Sequence, residues 1–527
     1  MKSKSQALTS ENLMESNLNQ LEDSYDIVIA GFGPVGQLCS NLLNKYGLKI
    51  GVVEPNFDIY SEPRAISIDD EIQRIISSLG LWDSFKDTRS VPDFADLIFP
   101  NGKVVLRGPV TSTSNGFPFV STIYQPHLER ILKTNLNKSK NTDLILGHEV
   151  INFKEQGELI DISIKSLSDN KLLKIKTKYL FACDGSESFI RNKLKIDLID
   201  LKYNKEWLVV DINLQDSYEL EKVVRYICDP ERPTIFTTLT EDWIRLEFQL
   251  LAGESGKEII NENKYIKFIS QLLTDKKYQI ERTYIYRYRG NFTKELRRKN
   301  IFLLGDAAHQ IPPFAGQGLS SGLRDASNLC WKLAHVINNQ FSDEILDTYQ
   351  TERMDDVKNS IDSSIALGKL IDSLSVAFKN NTPLEEAIPP EAREQAYGKK
   401  SLTGQSISRG LFTRLVKDNN IGKPIPMAQF SNKIDNISID DLLDSRFAII
   451  SSKDSKDLLN EEALSSYKAI NAVFIDISKY NFINTKFEEL VDIGDMIVRP
   501  DKLIYGITSN EVTLQSLSDE LFNRLAK

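Results

Sequence analysis

The sequence predicts an α/β protein, because short apolar runs typical of buried parallel strands end in turns that lead toward helical patterns. The first such unit spans residues 25–43, the second begins with the apolar run at 178–183, and the third begins with the run at 301–304. A single unit of this kind is a weak signal. Three in this order predict a chain that wraps a dinucleotide.

The first turn has the spacing Gly31-x-Gly33-x-x-Gly36, between an apolar strand and a helix predicted at residues 35–46. The first glycine makes the tight turn, the second lets the backbone approach a pyrophosphate, and the third lets the helix pack on the strand. The helix would direct the positive end of its dipole at the phosphates. This spacing predicts a dinucleotide site but does not separate FAD from NAD.

The next strand, predicted at residues 49–54, ends in an acidic residue, Glu54. A carboxylate at this distance from the glycines holds the ribose 2′-hydroxyl of the adenosine half of a dinucleotide. It disfavours the 2′-phosphate of NADP. Glu54 therefore indicates FAD or NAD.

The second and third turns favour FAD over NAD. The second has the pattern Asp184-Gly-x-x-Ser-x-x-Arg, for which an ordinary NAD-dependent dehydrogenase has no use. In the third, Asp306 follows Gly305 at a strand end, where a carboxylate can accept a hydrogen bond from the ribityl chain of a flavin. An amphipathic helix follows at residues 319–337, and N–H groups at its start, residues 316–320, would stabilise negative charge on a reduced flavin ring.

The composition limits the class of protein and its partners. The 527 residues allow two or three domains, and a hydrophobic fraction of 41% suffices for their cores. With 65 Lys and Arg against 74 Asp and Glu, the net charge of −9 argues against a nucleic-acid surface. No apolar run approaches the roughly 20 residues that cross a bilayer, so no membrane partner is expected.

The cysteines and histidines give no sign of a disulfide framework or a metal site. The 4 cysteines lie far apart without a C-x-x-C pair, which is typical of a reduced, cytoplasmic protein. The 4 histidines are scattered, so no metal is expected. Residues 1–23 are rich in Ser, Asn, Gln and Glu, lack the features of a targeting signal, and are predicted to be a disordered extension.

With these motifs the chain resembles the FAD-dependent aromatic hydroxylases, the single-component flavoprotein monooxygenases. The resemblance covers about residues 25–365. The segments that carry it are 31–36, 62–71, 124–126, 183–191, 228–233, 305–333 and 346–353. A weaker match at residues 495–505 resembles the thioredoxin-like C-terminal domain of this family, where the lack of a C-x-x-C pair argues against redox activity.

The patterns and the resemblance together imply four structured parts after the N-terminal extension. A Rossmann-like, glutathione-reductase-like FAD-binding domain is expected from residues 24–200 and 285–365. An inserted antiparallel-sheet domain at residues 201–284 would bind substrate, since this region shows strand-like alternation. A helical and loop connection at 366–430 would lead to a thioredoxin-like domain at 431–527.

The resemblance also implies roles for single residues. Asp184 is associated in the family with both FAD and the nicotinamide cofactor, Asp306 with the ribityl chain, and Arg64 and Gln125 with further FAD contacts. The family often has asparagine where this chain has Ser320, and a contact through a backbone N–H tolerates serine. The predicted cofactor-binding residues are Gly31, Gly33, Pro34, Val35, Gly36, Glu54, Arg64, Gln125, Asp184, Gly305, Asp306, Pro313, Gly316, Gln317, Gly318, Leu319 and Ser320.

The reaction implied by the resemblance is an aromatic hydroxylation. NAD(P)H would reduce FAD, O2 would give a flavin C4a-hydroperoxide, and one oxygen atom would pass to a phenolic substrate. Candidate substrate residues are Tyr226, Phe236, Tyr286 and Phe314, each of which also suits a plain hydrophobic core. The sequence does not identify a catalytic base, and a homodimer through the last domain is an analogy with relatives.

Three other functions fit the same scaffold. One is oxygenation of a polyketide, an antibiotic or another natural product, including a Baeyer–Villiger-like insertion. A flavin halogenase is disfavoured, because its Trp-x-Trp-x-Ile-Pro signature is missing. The third is an FAD-binding protein without turnover, against which the intact glycines and Asp motifs argue.

Overall fold

The computed structural model describes residues 24–215, 220–240, 242–388, 407–431, 436–452, 455–483 and 485–526. The predicted N-terminal extension lies outside these residues, as does part of the predicted connection before the last domain. Within the described ranges, no helix combines the length and the apolar character needed to cross a bilayer.

The strands alternate with helices through the first and last parts of the chain and cluster in the middle. Their bounds are β1 Ser24–Ala30, β2 Ile50–Glu54, β3 Ser67–Asp69, β4 Arg89–Ser90, β5 Phe94–Ile98, β6 Val104–Pro109, β7 Val120–Ile123, β8 Thr142–Leu146, β9 His148–Gln156, β10 Leu159–Ser166, β11 Leu172–Ala182, β12 Leu198–Leu214, β13 Val223–Ile227, β14 Thr234–Thr238, β15 Trp243–Gln249, β16 Tyr278–Thr293, β17 Arg297–Arg298, β18 Ile301–Leu303, β19 His309–Gln310, β20 Gln429–Ser431, β21 Asn436–Ser438, β22 Ala448–Ser451, β23 Val473–Asp476, β24 Asn481–Ile483, β25 Met496–Val498 and β26 Ile504–Ile507.

The α-helices range from one turn to a long helix that crosses the middle of the molecule. Their bounds are α1 Pro34–Asn44, α2 Asp70–Ser78, α3 Trp82–Phe85, α4 Gln125–Leu136, α5 Phe189–Lys193, α6 Gly256–Asn261, α7 Tyr265–Leu272, α8 Gln317–Ile337, α9 Asp347–Asn380, α10 Leu384–Ala387, α11 Ile439–Leu443, α12 Glu461–Ala469, α13 Thr485–Ile493 and α14 Leu514–Leu525.

A sheet in the order β17-β18-β11-β1-β2-β8 forms the centre of the first domain, with β9 and β10 attached to β11. Strands β18, β11, β1, β2 and β8 are parallel to one another, as the nearly unbroken apolar runs predict, whereas β17 and β10 pair antiparallel with β18 and β11. Ala30 pairs with Ala182, and Ala182 pairs with Leu303. The three turns singled out in the sequence therefore leave adjacent strands at one edge of the sheet, which is where α/β proteins bind ligands.

The second sheet has the order β19-β16-β12-β15-β14-β13-β5-β6 and is antiparallel except where β13 meets β5. One face packs on α6 and α7 through apolar residues such as Leu208 and Ile269. The other face packs toward the long helix α9, with Trp207 and Ile361 in one cluster. The sheet extends beyond the predicted segment 201–284, because β5 and β6 come from residues 94–109.

The last part of the chain contains a four-stranded sheet in the order β23-β22-β25-β26, in which β23 is parallel to β22 and the other pairs are antiparallel. It is fastened to the rest of the molecule by buried charges. Glu352 on α9 accepts hydrogen bonds from Arg499 (2.8 Å) and Lys332 (2.8 Å). Although burial raises the pKa of Glu352, these two cations hold it well below its ordinary value.

Candidate active site

The glycine turn after β1 is packed closely on two sides and open on the third. Gly31 has a φ of +102°, and a Cβ there would lie 2.3 Å from the carbonyl oxygen of Cys183. A Cβ on Gly36 would lie 2.1 Å from the oxygen of Gly31. A Cβ on Gly33 would meet no protein atom within 4 Å, and Gly33 lines the main cavity. The turn thus leaves space only where a pyrophosphate would approach.

Glu54 is buried at the end of β2, next to this turn. One carboxylate oxygen accepts a hydrogen bond from the N–H of Phe32 (2.7 Å), and the other accepts from the N–H (3.0 Å) and side chain (2.6 Å) of Asn56. These contacts fix the carboxylate and leave one acceptor position free, on the oxygen that binds Phe32. Its location suits the adenosine ribose predicted for it.

The loop that carries Arg64 is held from two sides. The side-chain oxygen of Gln125 accepts hydrogen bonds from the N–H groups of Arg64 (3.3 Å) and Ala65 (2.7 Å). From the second sheet, Arg245 donates to the carbonyl oxygens of Arg64 (2.8 Å) and Pro63 (2.9 Å). The exposed guanidinium of Arg64 lies 4.8 Å from the ring centre of Tyr60. Arg64 and Gln125 both line the cavity.

Asp184 lies behind the cavity wall, while Cys183 and Gly185 line the cavity. Its Oδ2 accepts a hydrogen bond from the N–H of Ile190 (3.1 Å) and so contributes to the start of α5. Its Oδ1 is buried and has no hydrogen-bond partner among the described residues. Burial raises the pKa of Asp184. A buried oxygen without a partner is costly, but Asp184, unlike its two neighbours, does not line the cavity.

Asp306 faces the cavity directly after the third turn, and its side chain is exposed there. Protein packed around it raises the pKa of Asp306, although His309 and Arg64 partly offset this effect. The side chain is therefore accessible to a ligand and can accept a hydrogen bond from a hydroxyl group.

A buried aspartate on α8 holds this third turn in place. Oδ2 of Asp325 accepts hydrogen bonds from the N–H of Gly305 (2.9 Å) and from Nε2 of His309 (2.7 Å). Its Oδ1 accepts from Nε of Arg353 (2.8 Å). Although burial raises the pKa of Asp325, His309 and Arg353 hold it below its ordinary value. The side chain of His309 therefore stabilises the turn. The sequence analysis did not select Asp325, because its partners lie on other elements and no local pattern indicates them.

The segment before α8 approaches the cavity with its backbone. Gly316 has a left-handed φ of +64° and precedes the first residue of the helix. Pro313, Gly316, Gln317, Gly318 and Leu319 line the cavity. Ser320 is buried behind them, where its hydroxyl accepts a hydrogen bond from the N–H of Asp69 (3.3 Å).

These elements surround one cavity of about 880 Å³ that runs from Gly33 to the second sheet and α9. Tyr226, Tyr286 and Phe314 line it, as expected of substrate-binding residues. Phe236 does not line it. Strand alternation puts Phe236 on the opposite face of the sheet, in the cluster with α6 and α7, and puts Ile235 in the cavity.

The sheet wall of the cavity also carries polar residues that the sequence analysis did not select. Arg245 and Glu247 on β15 and Tyr284 and Tyr288 on β16 all line the cavity. The hydroxyl of Tyr288 donates a hydrogen bond to Glu247. Alternation along Trp243–Gln249 does place residues 245 and 247 on one face, but the direction of that face depends on pairing with β12 and β14.

Among the residues that the structure describes, no cluster of three or more His, Cys, Asp or Glu side chains is arranged to hold a metal ion. The open space at Gly33 and the cavity-facing Asp306 fit a dinucleotide with a hydroxyl-rich chain.

Comparison with known proteins gives one family and a group of similar structures. The model of the FAD binding domain family matches residues 24–364. The 3-(3-hydroxy-phenyl)propionate/3-hydroxycinnamic acid hydroxylases of Escherichia coli O81 (strain ED1a) and Escherichia coli (strain K12) are 31% identical over 349 residues. The alignment covers 66% of this chain and 62% of each relative, so this chain spans less than two thirds of their length.

The similar solved structures cover nearly the whole chain at low sequence identity. The flavin-dependent monooxygenase PieE, in complex with FAD and substrate, has a TM-score of 0.77 at 18% identity and covers 95% of this chain and 99% of its own. Aklavinone-11 hydroxylase, in complex with FAD and aklavinone, has a TM-score of 0.75 at 17% identity and covers 95% and 98%. At these identities the comparison establishes the fold alone.

Proposed function

The chain belongs to the FAD binding domain family, and from this premise we propose that it is a monooxygenase that uses NAD(P)H and O2 to hydroxylate an aromatic, phenolic substrate. The resemblance to FAD-dependent aromatic hydroxylases seen in the sequence is confirmed by this match, as is FAD as the cofactor. The relatives from Escherichia coli carry hydroxylase names with hydroxyphenyl substrates.

The observation that carries the proposal is the single cavity that joins the three turns to an aromatic wall. Gly33 and Asp306 line one part of it, and Tyr226 and Phe314 line another. A protein that only stored FAD would have no need for a second, aromatic compartment beside the flavin end of the site. Ligand sites of this size and apolar character are typical of enzymes that enclose their substrate.

Each part of the site has a task in this reaction. Gly33 would admit the pyrophosphate, Glu54 would hold the adenosine ribose, and Asp306 would hold the ribityl chain. The N–H groups from Gly316 to Leu319 would stabilise negative charge on the ring at the start of α8. Bound FAD supplies the acceptance of hydride and the activation of O2, and the protein supplies position and a water-poor pocket.

Oxygenation of a larger natural product is a second candidate with its own support. The solved structures that cover 95% of the chain include aklavinone-11 hydroxylase with aklavinone bound and the anhydrotetracycline hydroxylase OxyS from Streptomyces rimosus. Their likeness extends through the last sheet, whereas the alignment with the Escherichia coli hydroxylases covers 66% of the chain.

For the last part of the chain, residues 431–527, we propose a fold and a role of its own. From residue 448 its order of elements is β22-α12-β23-β24-α13-β25-β26-α14, where β24 belongs to a separate small sheet and β22 and β25 are central in the four-stranded one. This order supports a thioredoxin-like fold for residues 431–527. Since Cys39, Cys183, Cys228 and Cys330 all lie outside this segment, we expect no thiol redox chemistry there and propose that it supports a homodimer.

The test is to load the purified protein with FAD and to follow NADH and NADPH oxidation with two sets of compounds. One set contains simple phenols and phenolic acids, and the other contains polycyclic phenols. Oxidation stimulated by a member of either set, with a product that gains one oxygen atom, would support the proposal and select the substrate class. An FAD-loaded protein whose flavin neither cofactor can reduce, with or without these compounds, would contradict it.

A further inference from the structure

Glu247 is a buried carboxylate that faces the cavity and is only partly satisfied by the protein. It lies on β15 with 5% of its surface exposed. Oε2 accepts a hydrogen bond from the hydroxyl of Tyr288, while Oε1 receives none from any residue in the described ranges. Because Glu247 lines the cavity and Oε1 is not fully enclosed by protein, a ligand in the cavity that carries a hydrogen-bond donor can reach this oxygen.

The neighbouring charges do not neutralise Glu247. Arg245, two residues earlier on the same face of β15, forms an ion pair with Asp211 on β12 (2.6 Å). Its other N–H groups donate to the carbonyl oxygens of Pro63 and Arg64. Burial raises the pKa of Glu247, while Arg245 and the hydrogen bond from Tyr288 lower it in part. The carboxylate therefore has a stronger affinity for protons than an exposed glutamate.

The other titratable side chains facing Glu247 are phenols. Tyr284, Tyr286 and Tyr288 extend from β16, and Tyr226 from β13 donates its hydroxyl to the carbonyl oxygen of Phe314. Burial is the main cause that raises the pKa of each of these four tyrosines, so all four remain neutral. Glu247 is accordingly the group in this wall that can take up a proton.

Three cations of the same wall are paired with carboxylates. Arg107 on β6 forms two hydrogen bonds with Asp96 (3.0 and 2.7 Å), Arg287 on β16 binds Glu206 on β12 (2.5 Å), and Arg245 binds Asp211. Two other arginines line the cavity with less compensation: Arg289 lies 3.8 Å from an exposed Glu187, and Arg64 packs on the ring of Tyr60 beside the expected FAD site. A negatively charged group next to Glu247 would be repelled.

We propose that Oε1 of Glu247 accepts a hydrogen bond from the ring hydroxyl of an uncharged phenolic substrate and removes its proton during the reaction. This inference rests on the proposed monooxygenase function. The proton passes from the phenol oxygen to Oε1, the electron pair of the O–H bond stays on the phenolate oxygen, and the carboxyl group returns the proton to the product. The phenolate has the more electron-rich ring, which is the form that an electrophilic oxygen attacks.

The binding test compares three probes on the FAD-loaded protein. The probes are 3-propylphenol, its methyl ether 3-propylanisole, and the anion 3-(3-hydroxyphenyl)propionate, with binding followed through the absorbance of the bound FAD. We expect the phenol to bind about 10- to 100-fold more tightly than the ether, which lacks the donor. Glu247→Gln should reduce this ratio, and Glu281→Gln, the same change at an exposed position of β16 outside the cavity, should not.

The turnover test uses the pH dependence of product formation from 3-propylphenol. Glu247→Gln should lower the rate at pH 7 by about 100-fold, with recovery as pH approaches about 10, where a phenol ionises unaided. In the wild type the hydrogen bond from Tyr288 lowers the pKa of Glu247. Tyr288→Phe removes this bond, so the pKa of Glu247 should rise and the acid limb of the profile should move to higher pH. FAD stoichiometry checks that each variant folds.

The outcomes separate the two proposals. A phenol-to-ether ratio and a pH profile that both stay unchanged in Glu247→Gln would overturn the role of Glu247 while leaving the monooxygenase intact. Tighter binding of the anionic probe than of 3-propylphenol would overturn the uncharged substrate class. Failure of wild-type protein to oxygenate any phenol would count against the proposed function, and the binding ratio would still decide the recognition role of Glu247.

Discussion

Substitution of Gly33 by alanine separates the stability of the fold from the affinity for FAD. Gly33 precedes α1 with φ −69° and ψ −179°, an extended conformation that alanine adopts without strain. A Cβ at this position meets no protein atom within 4 Å. The added methyl group would instead occupy cavity space where the backbone is expected to meet the pyrophosphate.

The magnitude follows from two opposing effects on stability and one on binding. Alanine reduces the freedom of the unfolded chain, which stabilises by about 0.4–1 kcal/mol, and is a poorer residue than glycine before a helix, which costs a similar amount. The free energy of unfolding should therefore change by less than about 1 kcal/mol. A methyl group forced into a close contact costs about 1–3 kcal/mol, so FAD should bind about 5- to 150-fold more weakly.

The assay is urea unfolding of the FAD-free protein together with titration of FAD by fluorescence. Gly36→Ala is the matched comparison, because its Cβ would lie 2.1 Å from the oxygen of Gly31 and should destabilise the protein even without FAD. If Gly33→Ala bound FAD as tightly as the wild type, the assignment of this turn to the pyrophosphate would be refuted.

The remaining predictions concern the third turn and the buried charges. Asp306→Ala should release FAD during gel filtration, and a variant that stayed fully loaded would contradict its ribityl role. Asp325→Asn should lower the free energy of unfolding by about 1.5–3 kcal/mol, as urea denaturation would show, because Arg353 loses one of its two carboxylate partners and keeps Asp356. Because the folded-state pKa of Glu352 is depressed, its stabilising effect is present above its ordinary pKa of about 4.3 and lost as pH falls below it. The urea concentration at half-unfolding should therefore decrease as the pH is lowered through this range. In Glu352→Gln it should depend less on pH.

The parts of the site that the sequence predicted are those set by local backbone requirements. Gly31 needs a positive φ and Gly36 needs close packing, and both requirements hold in the structure. Their meeting with the turn at Gly305 also follows from the sequence, because parallel strands end at a common edge. The placement of Asp306 in the cavity follows from the same rule.

The parts that the sequence did not predict depend on register and on distant partners. Phe236 and Ile235 are equally plausible pocket residues in an isolated strand, and only the pairing of β14 with β15 decides which one faces the cavity. Asp325 and Glu247 acquire their partners from elements far away in the sequence. The strands at residues 94–109 join the second sheet for the same reason, since β5 pairs with β13 more than 100 residues later.

The most direct test of the central claim is the reaction of the FAD-loaded protein with NAD(P)H and isotopically labelled O2 in the presence of a phenol that stimulates NAD(P)H oxidation. Mass spectrometry of the product is the measurement. We predict that the aromatic product contains one additional oxygen atom and that this atom carries the label. Recovery of unchanged phenol, with all consumed O2 found as hydrogen peroxide, would contradict the claim.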